Sequence, residues 1–171
     1  MKQGTERHGE LETKFLEEAH VIEEPIDEYI IKVKDGLVDP FITRELYVKS
    51  ESHKIHGYID EAHVFKDRVV IIDDKAGYKP YLSYVRQVRA YSIAFDEMFS
   101  WDRDIVYTLR NRDTLSVFFE EPMSNENRNE TISTIRTIHD LINRRREFTS
   151  TTEQRKCKSC RFNTVCDKSL V

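Results

Sequence analysis

The 171-residue sequence predicts an α/β fold in which helices flank a central mixed β-sheet, followed by a C-terminal tail rich in cysteine. Three observations predict this fold. Short β-prone runs fill the middle of the chain, and segments with helical periodicity lie before and after them. All three cysteines fall within the last fifteen residues. A chain of this length is expected to form one domain with a sizeable core.

The first element is an amphipathic helix predicted over residues 4–19. Its inward stripe recurs at helical spacing and consists of His8, Leu11, Phe15 and Ala19. The stretch from residue 25 to residue 40 permits two interpretations. Residues 29–33 fit either a strand that ends at the Asp35-Gly36 turn signal or a continued helix.

Three strands are predicted next, over residues 44–50, 54–64 and 68–74. The third is apolar on both faces, which is typical of a strand at the centre of a sheet. The polar pair Lys66-Asp67 predicts a tight turn, so the second and third strands are expected to form a hairpin.

The second half of the chain is predicted to contain helices and one more hairpin. Pro80 introduces the first of these helices. The predicted elements are a helix over 83–98, strands over 104–109 and 114–119, and a helix over 125–146. We expect residues 1–150 to form one domain and residues 151–171 to be a cysteine-rich tail packed on that domain.

Charge and hydropathy exclude several classes of protein. The net charge of −4 argues against a protein that coats DNA without regard to sequence. No apolar run is long enough to cross a bilayer, and the N-terminus lacks the pattern of a secretion signal, so we expect a cytoplasmic protein without a membrane partner. Basic residues concentrate over 144–168, where a phosphate-binding face and a solvated helix end are both compatible with the pattern.

The residues that indicate chemistry lie where β-prone runs stop. Asp60 lies near the end of the second strand, and Asp73 and Lys75 close the third. Alternate residues of a strand share a face, so Asp73 and Lys75 are expected to point together while Asp74 points away. Two carboxylates make a hard oxygen site suited to magnesium or manganese. A surface network of ion pairs is the alternative, because the pattern is short.

Three further residues belong with this predicted site. Gln87 and Tyr91 are four apart on the following helix and share a face that can look back at the strand end. A capped polar edge with a core tyrosine is the alternative. His8 fits either a core histidine with its hydrogen bonds satisfied or an additional metal ligand through a ring nitrogen.

The chain resembles the RecB-like branch of the PD-(D/E)xK nucleases. The motifs that carry the resemblance are Gly4-x-x-x-His8, Gly57-x-x-Asp60, Asp73-x-Lys75 and Gln87-x-x-x-Tyr91. The tail, Cys157-x2-Cys160-x5-Cys166, is similar to that of small CRISPR-associated RecB-like exonucleases and of iron–sulfur-bearing nuclease domains in bacterial recombination helicase–nucleases. The resemblance covers nearly the whole chain.

The resemblance implies a restriction-endonuclease-like core and a deoxyribonuclease that uses Mg2+ or Mn2+. The implied metal ligands are His8, Asp60, Asp73 and the backbone carbonyl of Asp74. Lys75 is the implied catalytic lysine, and Gln87 and Tyr91 are implied to support the active site and the DNA. A [4Fe–4S] cluster is implied at Cys157, Cys160 and Cys166.

The fourth cluster ligand is missing from the pattern, because the relatives carry a cysteine before the first helix and this sequence has none there. A histidine, a water or a partner chain could take that position, or an N-terminal extension could supply it. Clustered cysteines in a reducing compartment favour metal binding over disulfides. Zinc held by three cysteines and a histidine, or a tail without metal, are the alternatives.

The expected function is cleavage of single-stranded DNA ends or overhangs by an exonuclease that processes spacer precursors in CRISPR adaptation. DNA and the CRISPR integrase complex are the expected partners, and an oligomer is compatible with the sequence. The alternatives are a RecB-like nuclease of DNA repair or of a mobile element, and a non-catalytic DNA-binding assembly module of the same fold.

Overall fold

The structure is a computed structural model, and it describes residues 24–171. The helix predicted over residues 4–19 lies outside the described residues, and so do Gly4 and His8. The chain divides into two compact units between Ser133 and Thr134. The arrangement expected for residues 1–150 and 151–171 stays a prediction.

Five strands and four helices are found in the described part of the chain. In order they are α1 (Ile26–Asp35), β1 (Phe41–Ser50), β2 (Ile55–Val64), β3 (Arg68–Lys75), α2 (Leu82–Phe99), β4 (Asp104–Asn111), β5 (Val117–Pro122), α3 (Asn125–Ile142) and α4 (Gln154–Lys158). None of these helices has the length and apolarity needed to cross a membrane.

The strands form one mixed sheet in the order β1-β2-β3-β4-β5. β3 pairs with β4 in parallel, and the other neighbours are antiparallel. The predicted hairpin of β2 and β3 is present, and the Phe65 N–H donates to the Arg68 carbonyl at its turn. β3 is the central strand, as its two apolar faces predict. The predicted α/β fold with a central mixed sheet and flanking helices is confirmed.

Residues 29–33 are helical and belong to α1, so the helix interpretation of this stretch is correct. Ile30 and Val33, three residues apart, are fully buried on one side of the helix. The helix ends at Gly36, whose φ of +73° is the left-handed conformation that glycine adopts without steric cost. The Gly36 and Leu37 N–H groups then donate to the carbonyls of the last turn.

The core lies between α2 and one face of the sheet. α2 contributes Val85, Val88 and Phe95, which are almost wholly buried. They join Ile59 of β2 and Ile71 of β3 in the same apolar cluster. Burial of each large apolar side chain stabilises the fold by about 1.5–3 kcal/mol. This packing fixes the position of α2 over the ends of β2 and β3.

The last predicted strand and helix are shifted relative to the sequence pattern. β5 begins at Val117 rather than residue 114, because the Asn111 side chain builds a longer turn by accepting the N–H groups of Asp113 and Thr114. α3 ends at Ile142 rather than residue 146. Arg144 has a φ of 56°, which interrupts helical geometry.

Candidate active site

Asp60 lies inside β2, at the point where β2 leaves β3. The ladder between these strands begins at Glu61 opposite Ile72, so it does not extend to Asp60. The Asp74 N–H donates instead to Asp60 Oδ2 at 2.6 Å. β2 continues past Asp60 to Val64, in agreement with the strand predicted over 54–64. It continues because Ala62 and Val64 are buried against the core.

The end of β3 presents two charged side chains on one face and one on the other. Lys75 Nζ lies 2.6 Å from Asp73 Oδ2. The Asp74 carboxylate instead contacts Arg110 of β4, with 2.7 Å between Arg110 Nε and Asp74 Oδ1. Strand alternation accounts for this division, because Asp73 and Lys75 are two residues apart and Asp74 lies between them. Their catalytic roles stay predictions.

Lys75 is held from several sides. Its ammonium group donates to Gln87 Oε1 at 3.1 Å, and Gln87 Nε2 donates to the Tyr91 hydroxyl at 2.9 Å. The ammonium also lies 4.9 Å from the ring centroid of Tyr84. The structure therefore brings Gln87 and Tyr91 to the lysine, as their spacing on the helix predicts.

Gly57 packs directly against the Tyr91 ring and leaves no room for a side chain. A Cβ atom at Gly57 would lie 2.5 Å from Tyr91 Cε1, which is closer than any ordinary contact. β2 can pass beneath the tyrosine ring only with glycine at this position. The sequence contains the signal, a glycine inside a strand, because such a residue often marks a close approach of another group.

The Asp73 carboxylate is buried among charges of both signs. Burial raises its pKa to about 6, Lys75 opposes that rise, and the charges of Asp60 and Asp74 add to it. Only 3% of Asp73 is exposed, and its Oδ2 atom has no well-aligned hydrogen bond, despite the nearby ammonium. A buried carboxylate oxygen in this state favours binding of a cation.

The donors at this site fit a divalent cation of the magnesium type. Asp60 and Asp73 supply carboxylates, and the Asp74 carbonyl follows directly in the chain. Mg2+ is usually bound by one or two carboxylates and retains several waters. Within residues 24–171, no group of three or more His, Cys, Asp and Glu side chains is arranged to hold a metal ion. His8, the other implied ligand, lies outside the described residues.

The three tail cysteines do not form such a group either. None of them is in a disulfide; Cys157 is buried, Cys160 is exposed and Cys166 is half-buried.

An ionic cluster on the opposite face of the sheet was missed by the sequence analysis. It consists of Arg44, Glu61, His63, Asp74 and Arg110. Burial opposes ionisation of Glu61, but hydrogen bonds from His63 and Arg110 lower its pKa to about 2. The feature of the sequence that could have revealed this cluster is Asp74, because an acid on the buried face of a central strand requires a partner of opposite charge.

Comparison with known families identifies the class of protein to which this site and fold belong. The family model of the PD-(D/E)XK nuclease superfamily matches residues 3–167, and the chain belongs to that superfamily. Its five-stranded mixed sheet with flanking helices is the expected restriction-endonuclease-like core. No curated protein matches the sequence.

Two solved structures match the chain at low sequence identity. SSO0001 is 21% identical with a TM-score of 0.46, and the match covers 84% of this chain and 66% of that one. A presumptive exonuclease from Eubacterium rectale is 13% identical with a TM-score of 0.44, over 81% of this chain and 55% of that one. The chain thus spans less than two thirds of the length of either protein.

Proposed function

We propose that this protein is a cytoplasmic deoxyribonuclease that uses Mg2+ or Mn2+ to hydrolyse phosphodiester bonds at single-stranded DNA ends or overhangs. The observation that carries the proposal is the convergence of Asp60, Asp73 and Lys75. Asp73 is buried with a raised pKa and an oxygen that lacks an aligned hydrogen bond. Buried groups with strongly shifted pKa values cluster at functional sites, which supports this assignment.

Different side chains are assigned to binding the metal and to stabilising the negative charge on the phosphate. Asp60, Asp73 and the Asp74 carbonyl would hold the metal, together with His8. When bound, the cation polarises a phosphoryl oxygen and lowers the pKa of a water molecule. Lys75 places its ammonium group where negative charge develops on the phosphate. Gln87 holds that ammonium group in position, and Tyr91 holds Gln87.

The test compares Asp73→Ala and Lys75→Ala with wild type on 5′- and 3′-labelled single-stranded DNA, with Mg2+ and with Mn2+. We expect each substitution to lower kcat by about 100-fold or more. Circular dichroism of both variants separates a loss of activity from unfolding, because Asp73 and Lys75 are paired with each other. The matched controls are Asp67→Ala and Lys49→Ala, whose side chains are exposed. Metal-dependent cleavage that survives in both site variants would refute the assignment.

We also propose the RecB-like branch and a role in CRISPR adaptation, on the strength of the ordered motifs and the spacing of the cysteines. Exonucleolytic action predicts that linear single-stranded DNA is degraded and circular single-stranded DNA is not. Spacer processing predicts that, with a CRISPR integrase present, overhangs are trimmed to the length that the integrase inserts. Trimming that ignores the integrase favours a repair or mobile-element role. Tight DNA binding without cleavage in any divalent metal favours the non-catalytic module.

The cysteine tail is proposed as the place of a [4Fe–4S] cluster, on sequence spacing alone. The cysteines would have to come together, with a fourth ligand, to form it. Anaerobic purification should give brown protein with broad visible absorbance and about four irons per chain. Colourless protein with one zinc per chain supports the zinc alternative, and colourless protein without metal supports an unmetallated tail.

A further inference from the structure

The segment between β3 and α2 exposes aromatic rings next to the lysine of the site. Tyr78 and Tyr81 are 57% and 51% exposed. They lie three and six residues after Lys75, in a loop that also carries Lys79. Exposed aromatic rings interleaved with lysine are typical of surfaces that bind single-stranded nucleic acid.

These rings are held in place by their neighbours. The Tyr78 hydroxyl lies 2.9 Å from Thr114 Oγ1, and the Tyr78 ring packs edge-on against Phe118. The Tyr81 ring packs edge-on against Tyr84, with 5.4 Å between centroids. The Tyr81 carbonyl accepts the N–H groups of Tyr84 and Val85 in the first turn of α2. A partner that binds here therefore meets rings whose conformational entropy is already reduced.

The aromatic surface is continuous with the candidate active site. The Lys75 ammonium lies over the Tyr84 ring, and Tyr84 contacts Tyr81. Lys79 Nζ also lies 5.1 Å from the Tyr81 ring centroid. Tyr81 is thus one ring removed from the lysine that would meet the cleaved phosphate, and it has a second cation beside it.

We propose that Tyr81 stacks the DNA base next to the cleaved phosphate and that Lys79 contacts the adjoining phosphate. This inference rests on the proposed nuclease function and deepens it. Cation–π contacts at exposed sites are weaker than base–aromatic stacking, so a base displaces the Lys79 ammonium from the ring. The freed ammonium then meets the DNA backbone. In a duplex each base is stacked on its neighbours, so Tyr81 selects a strand whose bases are free.

The test measures binding by fluorescence anisotropy in full-length protein carrying Asp73→Ala, which prevents cleavage. The probes are a labelled 12-nucleotide oligo-dT and a 12-unit abasic deoxyribose-phosphate strand of the same charge. We expect the background protein to prefer oligo-dT, and Tyr81→Ala to weaken oligo-dT binding by about tenfold while binding of the abasic strand stays unchanged. Tyr81→Phe, which keeps the ring, should retain the preference, and Tyr81→Leu should lose it.

The matched control is Tyr58→Ala, because Tyr58 is 56% exposed and its ring contacts Tyr47 rather than the lysine. Circular dichroism verifies that every variant is folded. Unchanged oligo-dT binding by folded Tyr81→Ala and Tyr81→Leu would overturn the inference and leave the proposed function intact, provided that Asp73→Ala and Lys75→Ala abolish cleavage. Failure of the background protein to bind either strand, together with inactive wild type, would overturn both.

Discussion

Gly57 shows how one residue without a side chain shapes the site. The backbone of β2 passes under Tyr91, so close that a methyl group would lie 2.5 Å from Cε1 of the ring. Tyr91 in turn accepts the hydrogen bond from Gln87, and Gln87 accepts the one from Lys75. A contact that is steric at Gly57 thus becomes a constraint on the position of an ammonium group.

Gly57→Ala should therefore reduce activity through Tyr91. The ring has to move by several tenths of an ångström, which loosens Gln87 and Lys75. We expect kcat to fall by about 10- to 100-fold and the free energy of unfolding to fall by about 1–3 kcal/mol. Gly77→Ala is the matched control, because a Cβ there meets no atom within 4 Å. Steady-state kinetics and urea denaturation measure the two effects, and wild-type kcat in Gly57→Ala would contradict the role given to Tyr91.

At the scale of elements, β3 separates two environments. One face of its C-terminal end carries Asp73 and Lys75, and the other carries Asp74 in the ionic cluster. That cluster joins four strands, because Arg44 lies on β1, Glu61 on β2, Asp74 on β3 and Arg110 on β4. Buried charges of both signs therefore fix the alignment of the strands behind the site.

Glu61→Gln should destabilise the sheet strongly. The substitution removes one negative charge from between two buried arginines and leaves Arg44 and Arg110 incompletely neutralised. Breaking a buried pair from one side costs about 3–5 kcal/mol. The matched control is Glu51→Gln, an exposed pair with Lys49, where we expect a loss below about 1 kcal/mol. Urea denaturation measures both, and equal losses would show that the cluster contributes no more than a surface ion pair.

At the scale of the whole molecule, Asp73 makes the free energy of unfolding depend on pH and on bound metal. The pKa of Asp73 is raised to about 6 in the folded state, so folding favours its protonated form. Its contribution to stability is complete below the unfolded pKa of about 4 and is lost as the pH rises through about 6. A bound cation compensates for the ionised carboxylate and reverses this loss.

Asp73→Asn should therefore become more stable than wild type as the pH rises, when metal is absent. With EDTA present, the difference in unfolding free energy should grow by about 2–3 kcal/mol between pH 4 and pH 7. Adding Mg2+ should stabilise wild type and leave Asp73→Asn nearly unchanged. Thermal unfolding at each pH is the measurement, with the exposed Asp67→Asn as control. A difference that is constant with pH would show that Asp73 has an ordinary pKa.

The sequence predicted much of the fold and the grouping of the site, and failed where the hydrogen bonds of one side chain or the pairing between strands decide. Periodicity located α2, β3 and the hairpin of β2 and β3. The same reasoning misplaced the start of β5, because the Asn111 side chain extends the turn. It also gave no indication that β2 separates from β3 at Asp60, because pairing between strands is not a local property of the sequence.

The sequence by itself determined the alternation of Asp73, Asp74 and Lys75 and the pairing of Gln87 with Tyr91, because strand and helix periods are local properties of the backbone. Only the tertiary structure decided that Arg110 neutralises both Asp74 and Glu61, that Tyr91 requires Gly57, and that Tyr81 adjoins Lys75 through Tyr84. These contacts join segments that are far apart in the chain or face each other across a loop. Burial and charge, which depend on the whole fold, then set the pKa of Asp73.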